Sequence, residues 1–423
     1  MAKLAETSLN EVLPLPFRVA LLFQLGVHLW YAMVWVCYRV YDVNCLALLD
    51  LSYSSHNYAL DGQNTGLVYG ELATIIPAEL KENLSLLLGI KATGSKLFSA
   101  LAFSLVCYWL CKAVISPDFF LFAPIVNLLF LFITVYSFYV VFRPGKTIGQ
   151  QRVHSSIKRI LIGNINSATM RTNDIFFSDT LTSYAKVLND LMCFIWITFV
   201  TSDSLYNTRV EALVLAFPQL VRMKQCYYEY KVCNQRQQLF NFFKYAALLG
   251  PILVNMLIKL NMLRLASTGE TTTDSLDRLN NWWYISSTVS SLYLFVWDVR
   301  MDWGYGLFEF YKSRRHYEPL RAGRLVFGRR AIYFFIIFID FVLRFIWFFK
   351  MFVIVETEIE LGLRHRVGNF LFGYNFLLLG YLILETLEIF RRWLWCFLKW
   401  EHDLSKLQPK DAEAIQLSDL KSG

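Results

Sequence analysis

Arg344 stands near the middle of AIYFFIIFIDFVLRFIWFFKMFVIV, Ala331 to Val355, a run long and apolar enough to cross a bilayer. Asp340 precedes it by one helical turn and Trp347 follows at i+3, so a continuous helix puts all three on one face. A central arginine costs about 2.5 to 3.5 kcal/mol on insertion scales and is normally kept for a bundle-facing role, often on a substrate or ion pathway. An Asp340–Arg344 pair that only neutralises itself is the alternative. Other polar residues lie in or beside the later apolar runs. Asp179 precedes one in FFSDTLTSY, and Lys244 and Tyr245 open another in NFFKYAALLGP. Asp298 and Asp302 end a third at i, i+4 spacing in WDVRMDWG, and Arg391 and Arg392 follow Glu388 in LETLEIFRRWLW. Singly, these have plainer readings as snorkelling cations, dipole partners or interfacial carboxylates. Arg344 does not, being about 13 residues, roughly 20 Å, from the end of its span.

Together they form a pattern. Lys244, Arg344, Arg391 and Arg392 are balanced by Asp179, Asp298, Asp302 and Glu388, with Asp340 as the partner on which Arg344 rests. A water-filled, anion-selective cavity needs such a set. An entering tetrahedral oxyanion displaces carboxylates from guanidinium forks that fit it in a bidentate manner. Binding is then an exchange of partners, and the anion can leave by the reverse exchange.

The elements that must position these residues are membrane helices. The chain of 423 residues is 56% hydrophobic and only 17% charged, with a mean hydropathy of +0.40, outside the range of soluble domains. The fold class expected is all-α, a polytopic transmembrane helical bundle of about ten spans with both termini cytosolic. A polar leader, 1–16, precedes N-terminal transmembrane helices over 17–142. A transport domain follows over 143–400, and a cytosolic tail over 401–423. The stretch from Tyr41 to Thr65 carries no lysine or arginine and is expected away from the cytosol. Residues 66–90 read either as a weak span or as a lumenal amphipathic segment. The span is preferred because it delivers the basic loop from Arg143 to Arg171 to the cytosol, although the Asn83-Leu84-Ser85 sequon argues otherwise. Further spans are expected at about 97–115, 118–142, 183–201, 211–225, 239–263, 282–300, 331–355 and 367–390. The loop from Lys312 to Arg330, with six arginines and one lysine against Glu318, is the strongest cytosolic signal. Gln24 and His28 on the first span suit either a homodimer contact or burial within its own bundle.

The excess of positive charge sits in short loops between apolar runs, where topology accounts for it, so no nucleic-acid partner is expected. The cysteines are scattered singly, without disulfide or zinc spacing. No Gly-rich phosphate loop, nucleophile elbow or HExxH motif occurs, so no catalytic residue, cofactor or metal is expected. The competing enzyme reading rests on Asp298 and Asp302 as metal ligands for a phosphorylated lipid or nucleotide-sugar.

Six separated stretches resemble the EXS family, the membrane domain of phosphate exporters related to the xenotropic and polytropic retrovirus receptor. They are SDTLTS, FPQLVRMKQC, NFFKYA, SSLYLFVWDVRMDWG, IDFVLRFIW and LEIFRRWLWCFLKWEHD, in order between about Arg152 and His402. The resemblance implies inorganic phosphate as substrate. It also implies phosphate-contacting or gating roles for Asp179, Lys244, Tyr245, Asp298, Asp302, Arg344, Trp347, Arg391 and Arg392. Two departures stand out. Tyr228 and Glu229 occupy the place of a usual arginine pair after Gln225-Cys226, and Ser178-Asp179-Thr180 replaces Ala-Asp-Gln. The family's inositol-polyphosphate-sensing SPX domain has no room ahead of residue 17, which makes the chain similar to the short fungal members named for defective retention of endoplasmic-reticulum proteins. That likeness implies a multi-pass Golgi protein, cycling through the endoplasmic reticulum, that returns lumenal phosphate from glycosylation to the cytosol and acts in glycosyltransferase retention. The partners so implied are phosphate, membrane lipid, and a Golgi coat adaptor or glycosyltransferases. A sorting scaffold without transport is the alternative.

Overall fold

The computed structural model describes residues 9, 11–41, 43–50, 65–116, 119–143, 145, 147–162, 172–200, 206–268, 274–309, 319–320, 325–353, 362–373 and 379–405. Among them the chain is helical, without strands. The elements are α1 (Leu15–Trp35, extended by a wide turn to Val40), α2 (Cys45–Asp50), α3 (Thr65–Val114), α4 (Phe122–Phe142), α5 (Ile148–Ile157) and α6 (Thr172–Ser183). They continue with α7 (Ala185–Ile195, extended to Val200), α8 (Thr208–Cys233), α9 (Arg236–Thr268), α10 (Asp274–Trp297, extended by a wide turn to Asp302), α11 (Arg330–Arg344), α12 (Leu363–Phe372) and α13 (Leu379–Ser405). Five helices are long and apolar enough to cross a membrane, or six if α6 and α7, bent by 60°, count as one. The cations expected between Lys312 and Arg324, and the tail from 406, lie outside the described residues.

Residues 66–90 and 97–115 do not form two spans. They belong to the single helix α3, of 50 residues, about 75 Å at 1.5 Å per residue. Gly89 and Gly94 within it serve close packing. A Cβ on Gly94 would lie 3.2 Å from the His28 ring, and one on Gly89 would lie 3.4 Å from Thr147. The sequon fails as a glycosylation signal for a related reason. Asn83 is buried, and its amide donates to Asn44 Oδ1 at 2.7 Å while its Oδ1 accepts from Leu46 N. Gln24 is buried in its own bundle, whereas His28 is exposed, with its Nδ1 2.8 Å from the Gln24 carbonyl.

Losing one reversal changes the relation of the chain's ends. The Tyr108 hydroxyl and the Trp109 indole donate to the carbonyls of Glu11 and Val12, so the end of α3 lies at the start of α1. In the opposite direction, Met33 to Leu49 share one core cluster with Leu86 and Leu87 of α3 and with Trp395, Leu398 and Trp400 of α13. Leu22, nearer the start of α1, packs with Ile389, nearer the start of α13. The first and last helices are therefore parallel. The start of α1 and the end of α13 lie at opposite ends of the bundle, not at the same end as the ten-span reading requires. The Val36–Leu49 region likewise lies beside the end of α13 and not opposite it.

Three further boundaries differ from expectation. The helix expected at 211–225 runs from Thr208 to Cys233 with Pro218 inside it. The span expected at 183–201 is preceded by α6, and the chain bends at Tyr184. There Ser178, Thr180 and Thr182 donate their hydroxyls to carbonyls three or four residues back, a pattern that bends helices. Helix α13 runs through the expected boundary at 400 to Ser405. Glu401 and Asp403 are buried, and Glu401 accepts from the Tyr333 hydroxyl (2.8 Å) and Val326 N (2.6 Å). These bonds fix the start of α11 to the end of α13.

Candidate functional site

The site lies where α6, α8, α9, α10, α11 and α13 meet. Arg344 is the last residue of α11. The run 331–355 is not one helix, because the chain breaks at Phe345 and continues as a tight 3₁₀ stretch, Ile346–Phe352. A helix end leaves carbonyls without intrahelical donors. Ser291 of α10 donates to the Arg344 carbonyl at 3.1 Å, and the Trp347 indole donates to that same serine at 2.9 Å. Trp347 is thus tied to Arg344 through Ser291, and does not share its helix face as a continuous helix would require. It packs instead against Trp283 and Tyr284.

From Arg344 the charges form a chain of exchanges. Its guanidinium donates to Asp340 Oδ2 at 3.0 Å and to Asp298 Oδ2. Asp340 Oδ1 accepts from Arg391 at 2.9 Å, and Arg391 grips Glu388 in a fork of 2.9 and 2.6 Å. Glu388 also accepts from Ser183 at 2.8 Å, and Ser183 accepts from Arg392 at 3.1 Å. Arg392 donates to Thr182 at 3.2 Å and stands 3.9 Å from Asp179 Oδ2. The bend at Tyr184 presents Asp179, Thr182 and Ser183 together to these arginines.

Asp179 is the far end of the chain. Its Oδ1 accepts from the Tyr245 hydroxyl at 2.7 Å and pairs with Arg222 Nε at 2.6 Å. Tyr245 in turn accepts from Arg222 Nε at 3.0 Å. Lys244 lies 3.6 Å from Asp302 and over the rings of Tyr245 (4.5 Å) and Trp297 (5.3 Å). Asp298 and Asp302 therefore serve different cations, because the wide turn between them rotates the second carboxylate toward α9, where Trp297 Nε1 also donates to it at 3.2 Å.

All eleven expected residues are brought together. Five cations (Arg222, Lys244, Arg344, Arg391, Arg392) meet five carboxylates (Asp179, Asp298, Asp302, Asp340, Glu388), so the network is neutral. Buried charges persist only when paired and hydrogen-bonded in this way.

Arg222 is the member that sequence reasoning missed. It is 3% exposed, donates to Gln225 Oε1 at 2.5 Å and to Ser178 at 3.3 Å, and sat unused inside FPQLVRMKQC. A signal was present. Gln219, Arg222, Gln225 and Glu229 recur at three- or four-residue steps and are all buried, while Leu213, Phe217, Leu220 and Tyr227 of the same helix are exposed. A helix with its polar stripe inward and its apolar side outward suits lipid surroundings and an ionic interior. A second, partly buried charge cluster was missed as well. Lys186 lies 3.3 Å from Asp190 and 3.8 Å from Glu385, beside the buried Arg18.

The sequence profile of the EXS family matches residues 13–405. The protein named ERD1 of Kluyveromyces lactis is 28% identical over 92% of this chain and 93% of its own length. The ERD1 protein of Saccharomyces cerevisiae is also 28% identical, over 57% of this chain and 58% of that protein. Solute carrier family 53 member 1 of Mus musculus is 26% identical over 54% of this chain and 32% of its own length.

Proposed function

Since the chain belongs to the EXS family, we propose that the neutral network around Arg344 is a path for inorganic phosphate. The observation that carries this reading is the partner exchange built into the site. Arg344 and Arg391 share Asp340, and Arg392 reaches Asp179 only at 3.9 Å. Guanidinium forks released from carboxylates fit phosphate oxygens, and the carboxylates reclaim the forks when the anion leaves. A network serving only stability has an inexpensive substitute, since apolar residues of similar volume often replace buried ion pairs without loss. Ten charges kept in one place across six helices favour an ionic role over that one.

The orientation we propose places the Arg143–Arg171 loop in the cytosol, because it holds basic residues and no acidic one. The order α1, α3, α4, α6 with α7, α8, α9, α10, α11 and α13 then gives nine crossings, with the start of α1 lumenal and the end of α13 cytosolic. A Golgi location, return of lumenal phosphate to the cytosol and a part in glycosyltransferase retention belong to the same proposal. They rest on the likeness to ERD1 proteins, and on transport as a non-enzymatic role.

The test is phosphate flux into proteoliposomes containing the purified protein, with sulfate as competitor. Arg344→Lys, which keeps the charge and loses the fork, should lower flux at least tenfold, and unchanged flux in that variant would sink the proposal. Impermeant thiol labelling of a cysteine placed at Val12 should occur from the lumenal side only. Labelling from the cytosol would overturn the orientation and leave the anion path standing.

A further inference from the structure

Charge does not end at Glu388. One turn nearer the start of α13 stands Glu385, where the second cluster begins. Lys186 of α7 reaches Asp190 at 3.3 Å and Glu385 at 3.8 Å, and lies 5.1 Å over the Tyr381 ring. Lys259 of α9 is held by both oxygens of Glu211 of α8 at 2.7 Å. Cys193 feels the charges of Lys186, Asp190, Lys259 and Glu211, so these pairs share one layer. That layer takes in the start of α8, the end of α9 and the start of α13, and lies at the end of the bundle opposite the joint of Glu401 with Tyr333.

Lys350 joins the layer from the 3₁₀ stretch that follows Arg344. Had α11 continued, Lys350 would stand roughly 240° around the helix from Arg344. Residues three apart eclipse in a 3₁₀ helix, so Trp347 and Lys350 both turn to α10 instead. There the Trp283 ring packs on Trp347 at 5.8 Å and takes the Lys350 ammonium over its face at 3.9 Å. Among the described residues no carboxylate pairs with Lys350, and Lys259 is the charged side chain whose field it feels. Within the group, Arg18, Lys186, Lys259 and Lys350 stand against Asp190, Glu211 and Glu385, which leaves one positive charge over. The network around Arg344 leaves none.

We propose that Lys350, with Lys259 beside it, is a capture site for a tetrahedral phosphate oxyanion at the lumenal mouth of the path, from which Trp347 and Ser291 lead to Arg344. Its role as a mouth rests on the anion-path reading, whereas the binding does not. An ammonium is a point charge without the fixed fork of a guanidinium, so it gathers an anion without fixing its orientation. A surplus charge between low-dielectric walls focuses the field and raises the local anion concentration. A lysine that only snorkels keeps its ammonium in water, but Lys350 is half-buried against an aromatic face. That contact is worth only about 0.5 to 2 kcal/mol, so the ammonium can turn to an anion without stranding a carboxylate. Free phosphate and a phospholipid headgroup present the same oxyanion, and the experiment separates them.

The full chain, purified in neutral detergent, is titrated with inorganic phosphate while tryptophan emission is followed, and the same protein is assayed for flux in phosphatidylcholine proteoliposomes. Phosphate should change the wild-type emission, and Trp283→Phe or Lys350→Met should remove most of that change. Lys350→Arg, which keeps the charge, should retain it. In the flux assay Lys350→Met should raise the half-saturating phosphate concentration at least fivefold and lower maximal flux no more than twofold, whereas Arg344→Lys acts on maximal flux. Wild-type emission that ignores phosphate, or unchanged half-saturation in Lys350→Met, would overturn the capture site and leave the anion path standing. A response that requires anionic lipid in the micelle would overturn it in favour of a headgroup site. Emission that responds in a protein without flux would overturn the path and keep the binding.

Discussion

Helix α13 turns Glu388, Arg391 and Arg392 to one neighbour and Ile389, Trp393 and Cys396 to another, and the two sides are built on opposite principles. Toward α6, α8 and α11 every expected charge has a counter-charge within 4 Å. Toward α1 and α4 the lining is largely apolar, and space remains. A buried charge is costly unless its partners are all present, so the first side must be complete in every member. Apolar contacts are individually small and interchangeable, so the second side tolerates incompleteness.

Substitutions can break or sharpen that contrast. The largest effect is expected from Arg391→Leu, which strips both Glu388 and Asp340 of their shared cation. Removing one partner of a buried pair costs about 3 to 5 kcal/mol, so thermal melting in detergent should drop markedly and flux should vanish. A variant with the wild-type melting temperature would show the network to be solvated, not buried.

Asp179→Asn tests the missed arginine. It leaves Arg222 and the Tyr245 hydroxyl without their carboxylate. Stability should fall by about 1 to 3 kcal/mol. Adding Arg222→Gln should recover part of that loss, as coupled members of one network do. Strict additivity of the two substitutions in a melting cycle would separate Arg222 from the ring.

Tyr245→Phe removes one hydroxyl that both accepts from Arg222 and donates to Asp179. The expected cost is about 1 to 2 kcal/mol, with flux reduced but not lost. On the apolar side, Ile389→Val should cost only about 0.5 to 1.5 kcal/mol and leave flux near the wild-type rate. Flux that falls as steeply in Ile389→Val as in Tyr245→Phe would mean that the two sides of α13 are not independent.

Much of the ionic side was legible in the sequence. Charges inside apolar runs are costly enough to mark themselves, and Asp179, Lys244, Asp298, Asp302, Asp340, Arg344, Glu388, Arg391 and Arg392 all converge. Arg222 escaped because its helix was read as short, ending at about 225, and its charge was left inside a motif without a role, although its buried stripe had helical spacing. The sense of the chain's ends was misread at one place, where two spans were expected at 66–90 and 97–115 and one helix, α3, runs through both, with Gly89 and Gly94 bringing it close to α5 and α1. The break after Arg344 was invisible, since Phe345 to Phe352 is as apolar as what precedes it.

Composition and the cost of burying charge determined that this chain is an all-helical membrane protein with an ionic centre. Those properties depend on each residue's own transfer free energy, which sequence carries locally. Which cation meets which carboxylate, where α6 and α11 break, that α1 runs parallel to α13, and that a hollow lies behind the charges were decided only by the tertiary structure. They depend on distances between residues as far apart as Ser183 and Arg392, or Leu22 and Tyr184, which no local pattern encodes.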